Sequence, residues 1–173
     1  TGIPLSSRFL MDFNSSEILS NFELSPDKKT ILFFAGGEFG FGKDKTFNML
    51  KSIIDNYPNL QVVAIAGRNE EMKKRFDKLV EDTASKTRVK VLPFTDKVPE
   101  LMNISNLVIT KPGGLTTTES LASGLPLLII DPLPGQEEGN AEFIENSGAG
   151  IWLKDTDNIN IVLDKIFNTT NKL

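Results

Sequence analysis

Short apolar runs recur along the chain at residues 31–35, 60–66, 89–92, 107–110 and 125–130, with a weaker one at 150–153. They are nearly continuous rather than alternating, which is the pattern of strands covered on both faces of a sheet. Between them, residues 45–56, 70–82, 116–122 and 137–146 have helical character. A last helix is expected over 156–167, where Ile159, Val162, Leu163 and Ile166 share a face. Strands alternating with helices predict right-handed parallel βαβ units. The expected fold is therefore α/β, a Rossmann-like doubly wound parallel sheet of about six strands. Such sheets bind ligands at the carboxyl ends of their strands, so the segments just after each run are where chemistry is expected.

Residues 1–25 fit the alternation poorly. The first eight are turn-rich, and 15–24 holds at best one short helix. We expect 1–25 to be an interdomain linker with a lead-in helix and 26–173 to be the Rossmann-like domain. The chain begins without methionine and reads as a piece of a longer protein cut at a linker. It shows no internal repeat or low-complexity tract.

With 173 residues, 39% of them hydrophobic, the chain can bury a real core. It has no cysteine, which removes disulfides, thiol nucleophiles and thiolate metal sites together and fits a reducing, cytoplasmic compartment. It also has no histidine, so general acid–base work at neutral pH would fall to carboxylates, lysine or tyrosine. Net charge is −4 without a block of like charges, so nucleic acid is not an expected partner. The lysines at 43, 45, 51, 73 and 74, with Arg75, read as solvated helix faces. No apolar stretch approaches the roughly 20 residues of a membrane span, so any membrane contact is expected to be peripheral.

Three polar segments follow the runs. After the first comes a glycine-rich turn, Gly36, Gly37, Glu38, Gly40 and Gly42, leading into a helix. Glycines there let a backbone approach phosphate, and a helix N-terminus offers free N–H groups, but the spacing matches neither the dinucleotide motif nor the P-loop. The fourth run leads to Lys111, Pro112, Gly113, Gly114, Leu115 and Thr116, again glycines before a helix. The spacing of Thr116 and Glu119 favours a capping box; the alternative is that Glu119 is a carboxylate that accepts both hydroxyls of a ribose. The fifth run leads to Gly135, Gln136, Glu137, Glu138, Gly139 and Asn140, amides and carboxylates suited either to sugar hydroxyls or to an acidic helix start. After the third run, backbone groups of Phe94 and Thr95 either read the edge of a base or form an apolar loop entering a helix. Asp155 and Asp157 look like an Asp-x-Asp metal motif but precede the last helix, where an N-cap role is expected.

In order, residues 1–4, 36–40, 66–69, 110–114, 116–119 and 134–140 resemble the C-terminal, donor-binding half of the diacylglycerol glycosyltransferases: monogalactosyldiacylglycerol synthase and its bacterial glucosyl-transferring relatives. The most specific pieces are Lys-Pro-Gly-Gly at 111–114 and Pro-Gly-Gln-Glu-Glu-Gly-Asn at 134–140. More distantly the chain is similar to the peptidoglycan enzyme that transfers N-acetylglucosamine to a lipid-linked acceptor. The resemblance implies one half of a GT-B glycosyltransferase holding a UDP-hexose. Gly36, Gly37, Gly113, Gly114, Leu115 and Thr116 would surround the diphosphate, Glu119 the ribose, Phe94 and Thr95 the uracil, and Gln136, Glu137 and Asn140 the sugar hydroxyls.

It further implies inverting hexose transfer to diacylglycerol or a related lipid, without a cofactor or obligatory metal. The general base, the lipid-acceptor site and the membrane-docking surface would lie in an N-terminal half, so this chain alone would be inactive, and the full-length protein peripheral at the cytoplasmic membrane. Two departures stand out. The peptidoglycan relative has a basic residue near the position of Ser6, which leaves Arg8, Lys111 or a group elsewhere to balance the diphosphate. Phe39 and Phe41 are bulky for a glycine turn. The alternatives are half of a UDP-sugar 2-epimerase, against which the lack of histidine argues, and a donor-binding subunit that acts with a membrane partner in trans.

Overall fold

The computed structural model describes residues 4–35 and 43–168. Its centre is a six-stranded sheet in the order β3-β2-β1-β4-β5-β6, made of β1 (Lys29–Phe34), β2 (Leu60–Ile65), β3 (Val89–Leu92), β4 (Leu107–Thr110), β5 (Leu127–Ile129) and β6 (Gly150–Trp152). Every pairing is parallel. The helices are α1 (Ser15–Asn21), α2 (Lys43–Asn56), α3 (Glu70–Asp82), α4 (Val98–Asn103), α5 (Gly114–Ala122), α6 (Gln136–Asn146) and α7 (Ile159–Asn168), with a 3-10 turn at Ser7–Leu10.

The continuous apolar runs follow from burial on both faces. Along β1, Ile31 and Phe33 enter a core with Leu50 and Ile53 of α2 and Phe76 of α3, whereas Leu32 between them packs on the other side with Leu101 and Met102 of α4. A smaller cluster joins Leu127 and Ile129 to Ala141 and Ile144 of α6. Phe33 meets Phe76 edge-on at 6.1 Å between centroids. Helix α3 starts where Asn69 Oδ1 accepts the Met72 N–H at 2.9 Å, a side-chain cap that stops the chain extending past β2.

Residues 4–25 pack onto this body. Phe9, Leu19, Phe22 and Leu24 join Leu32 and Val63, and Arg8 grips Glu100 through both carboxylate oxygens at 2.8 and 3.0 Å. Gln61, fully buried within β2, ties the lead-in segment to the sheet: its amide accepts from Ser25 N–H and donates to the Ser25 carbonyl and Thr30 Oγ1, each at 2.9 Å. A buried amide is tolerated there because each of its groups is paired.

Candidate functional site

Strands β1 and β4 lie side by side, yet β1 continues toward β2 and β4 toward β5. Their loops diverge at this switch of direction and leave a crevice. A cavity of about 220 Å³ opens there, lined by Phe34, Ile65, Gly67, Thr110, Lys111, Gly113, Thr116 and Glu137. The ends of β1, β2 and β4 and the starts of α5 and α6 thus converge on one spot. Gly36 and Gly37, like Phe39 and Phe41, fall outside the described residues.

The capping box expected at Thr116 and Glu119 is not formed. Helix α5 begins at Gly114, two residues earlier, with Gly113 as an extended N-cap that supplies no side chain. Thr116 is therefore already within the first turn, where its carbonyl accepts from Ser120 Oγ at 2.8 Å. The expectation failed because Pro112 and Gly113 end the extended segment early enough for the glycine to enter the helix. Two consequences matter for chemistry. The N–H groups of Gly114, Leu115 and Thr116 open the helix without intrahelical acceptors, and Glu119 is released from capping. The Glu119 side chain sits half-buried without a hydrogen bond or ion pair among the described residues, and burial raises its carboxyl above the usual range.

Gly113 has ordinary extended dihedrals, and a Cβ there would meet nothing within 4 Å. Neither conformation nor packing calls for glycine, so the open space above it is what a close ligand would use. Gly139, inside α6, is likewise unobstructed although glycine weakens a helix. Gly139 reads from the sequence as a loop glycine; it lies instead within α6, and the signal that marks it is glycine inside a helix without a packing reason.

Helix α6 is held against this loop by Asn140, whose Nδ2 donates to the Pro112 carbonyl at 2.9 Å. Glu137 Oε2 accepts the Leu133 N–H at 2.8 Å, and Glu138 Oε2 accepts that of Gly135 at 3.1 Å. Gln136 is exposed at the tip. Much of this segment's polarity therefore builds its own turn, while Glu137 Oε1 and Asn140 Oδ1 accept no hydrogen bond among the described residues. Phe94 stands 64% exposed after β3, with the Arg68 guanidinium 5.3 Å from its ring centroid. Thr95 Oγ1 accepts the Lys97 N–H at 3.1 Å.

Arg8 and Lys111 were both candidate balancing charges. Arg8 is consumed by Glu100. Lys111 makes no ion pair among the described residues and lines two cavities, the crevice and a neighbouring one of about 620 Å³. The second cavity holds residues the sequence reading missed. Lys45, expected on a solvated helix face, reaches from the start of α2 to Asp131 and, at 2.5 Å, to Asp155. Burial pulls the Lys45 ammonium down, but the bonds and charges of the two aspartates together outweigh it and hold its pKa above the usual value. Asp131 has φ of 42° and a buried Oδ2 without a hydrogen-bond partner among the described residues. The Asp155 and Asp157 N-cap also fails: α7 starts only at Ile159, after Asn158, whose Oδ1 accepts the Asn160 N–H at 2.9 Å. Asp157 instead accepts the Lys154 N–H at 2.8 Å. No group of three or more potential ligands is placed for a metal among the described residues.

A doubly wound sheet with this crevice is the architecture of one half of a GT-B glycosyltransferase. Residues 32–172 match the glycosyltransferase family 28 C-terminal domain, and the chain belongs to that family. Over 172 residues it is 40% identical to a processive diacylglycerol beta-glucosyltransferase of Staphylococcus epidermidis, an alignment covering 99% of this chain and 42% of that protein. The chain thus spans less than half the length of such relatives. Among solved structures it resembles WaaG, a glycosyltransferase involved in lipopolysaccharide biosynthesis, with a TM-score of 0.71 at 21% identity, over 98% of this chain and 46% of that one. It also resembles Anabaena HepE in complex with UDP-glucose, with a TM-score of 0.65 at 17% identity, over 98% and 47%.

Proposed function

We propose that this domain holds the UDP-hexose donor for an inverting glycosyltransferase whose acceptor is diacylglycerol or a related lipid. The observation that carries the reading is the crevice between β1 and β4, where Lys111, unpaired among the described residues, the open face of Gly113 and the first turn of α5 converge. A diphosphate leaving group gains negative charge as the glycosidic bond breaks. Free N–H groups, the α5 dipole and one ammonium stabilise that charge from fixed positions. In this reading the leaving group needs no obligatory metal.

Gly113, Gly114, Leu115 and Thr116, with Gly36 and Gly37, surround the diphosphate; Glu119 takes the ribose hydroxyls; Phe94 and Thr95 take the uracil; Gln136, Glu137 and Asn140 face the hexose. The release of Glu119 from capping supports its part. The general base and lipid site belong to the remainder of a longer protein, which would meet the membrane peripherally; among the described residues no helix is long and apolar enough to cross one. The 40% identity to a glucosyl-transferring relative favours this reading over the epimerase.

Calorimetric titration with UDP, UDP-glucose, UDP-galactose and UDP-N-acetylglucosamine tests it. Binding of the uridine ligands that weakens in Glu119→Ala is expected. Equal binding by wild type and variant would remove Glu119 from the ribose, and no binding of any uridine ligand by the folded chain would overturn the donor reading.

A further inference from the structure

Arg68 and Phe94 form a pair for which the fold itself offers no use. Strands β2 and β3 run in parallel register, with Ile65 opposite Leu92, and the Ala66 N–H continues the pairing onto the Leu92 carbonyl at 2.8 Å. Beyond that bond the two chains leave the sheet together. Gly67, at φ of 64°, turns the first chain sharply, and Asn69 is committed to capping α3. Arg68 lies between these two fixed residues, exposed and without a hydrogen bond or ion pair among the described residues. On the second chain Pro93 precedes Phe94, and Thr95 is committed to the Lys97 N–H.

Among the described residues Phe94 belongs to none of the apolar clusters, and its ring stands exposed. What each residue does contact is the other, guanidinium against ring at 5.3 Å. Gly67, next to Arg68, also lines the crevice that holds Lys111 and Gly113. A planar cation and an aromatic face therefore stand at the β2–β3 rim of the candidate donor site, on the side away from α6.

We infer that Arg68 is a base-contacting residue: with Phe94 it makes the platform on which the nucleobase of the donor stacks. This rests on the donor-site reading and extends it to a residue and an interaction that reading does not contain. Flat π-systems stack on both aromatic rings and guanidinium planes, and an arginine already resting against a ring is partly ordered before the base arrives. Lysine carries the same charge without the plane.

The test compares Arg68→Lys and Arg68→Ala with wild type by calorimetry, using UDP and inorganic pyrophosphate as separate probes. Stacking predicts that both variants weaken UDP by about tenfold while pyrophosphate binding is unchanged. Unchanged UDP affinity overturns the inference. So does a UDP loss in Arg68→Ala that Arg68→Lys restores, because Arg68 would then act through charge, and so does a parallel loss of pyrophosphate. A wild-type chain that binds pyrophosphate and UDP equally well has no base site, which removes this inference while leaving the phosphate crevice. A chain that binds neither removes both readings.

Discussion

Glu119, proposed above for the ribose hydroxyls, costs the fold something where it stands. Its carboxyl titrates above the usual value because burial disfavours the charged form. The unfolded chain releases this proton first, so between the ordinary glutamate value and the raised one the native state binds more protons. Stability therefore falls as pH rises through that window. We predict that Glu119→Gln flattens this fall and melts higher than wild type at pH 7, yet binds UDP about tenfold more weakly. Melting curves from pH 4 to 7 alongside UDP titration check both halves; a variant less stable than wild type at pH 7 would mean that the carboxylate holds a structural partner.

Two glycines make the converse point. At Gly150 a Cβ would lie 2.3 Å from the Leu127 carbonyl oxygen, backbone against backbone. Gly150→Ala must spread β5 and β6, and we expect a loss of about 2 kcal/mol or more, visible in chemical denaturation. At Gly113 a Cβ meets nothing. Gly113→Ala should leave the denaturation midpoint nearly unchanged while weakening UDP and pyrophosphate alike, since the methyl group would occupy the space assigned to phosphate.

At the scale of elements, the sequence revealed each strand to within a residue or two because burial on both faces makes period and position plain, as at Ile31, Leu32 and Phe33. It was weaker at helix starts. The α5 start was placed at Thr116 because a threonine followed by a glutamate signals a cap; the backbone freedom of glycine and the Pro112 stop moved it to Gly114. The α7 start was misplaced for a similar reason, acidic residues before a helix being ambiguous between turn and cap. Lys111, Gly113, Thr116 and Glu137 of the crevice could be picked out because glycine and acid motifs follow strands, whereas Phe34 and Ile65 read only as strand core, and Leu115, Glu119, Gln136 and Asn140 do not line that cavity. Lys45 and Asp131 were not, since nothing local announces an ion pair between residues so far apart in the chain.

Helix α6 allows an element-level prediction. Gly139 sits inside it, exposed, where alanine is intrinsically better by about 1 kcal/mol. Gly139→Ala should raise the denaturation midpoint accordingly. If the hexose approaches the α6 face, the same change weakens UDP-glucose without altering UDP, because only the sugar reaches that far from Lys111. Equal affinities for UDP-glucose before and after would place the hexose elsewhere.

At the scale of the whole molecule, the crevice is built from segments distant in sequence, 65–67, 110–116 and 137, that meet only when the sheet is assembled. The unfolded chain therefore has no donor site, and a donor that binds only the native state must stabilise it by mass action. At a UDP concentration a hundred times its dissociation constant the gain is about 2.7 kcal/mol, which raises the melting temperature of a domain this size by roughly 5–10 °C. Because fixed N–H groups and Lys111 are proposed to meet the diphosphate in place of a metal, the shift should be the same in EDTA as in magnesium. It should fall as salt rises, since Lys111 lies at an open crevice and its attraction to phosphate is screened. A shift that appears only with magnesium would assign the charge balance to a cation, and Lys111→Ala would then leave it intact; a shift insensitive to magnesium and lost in Lys111→Ala is the outcome expected here.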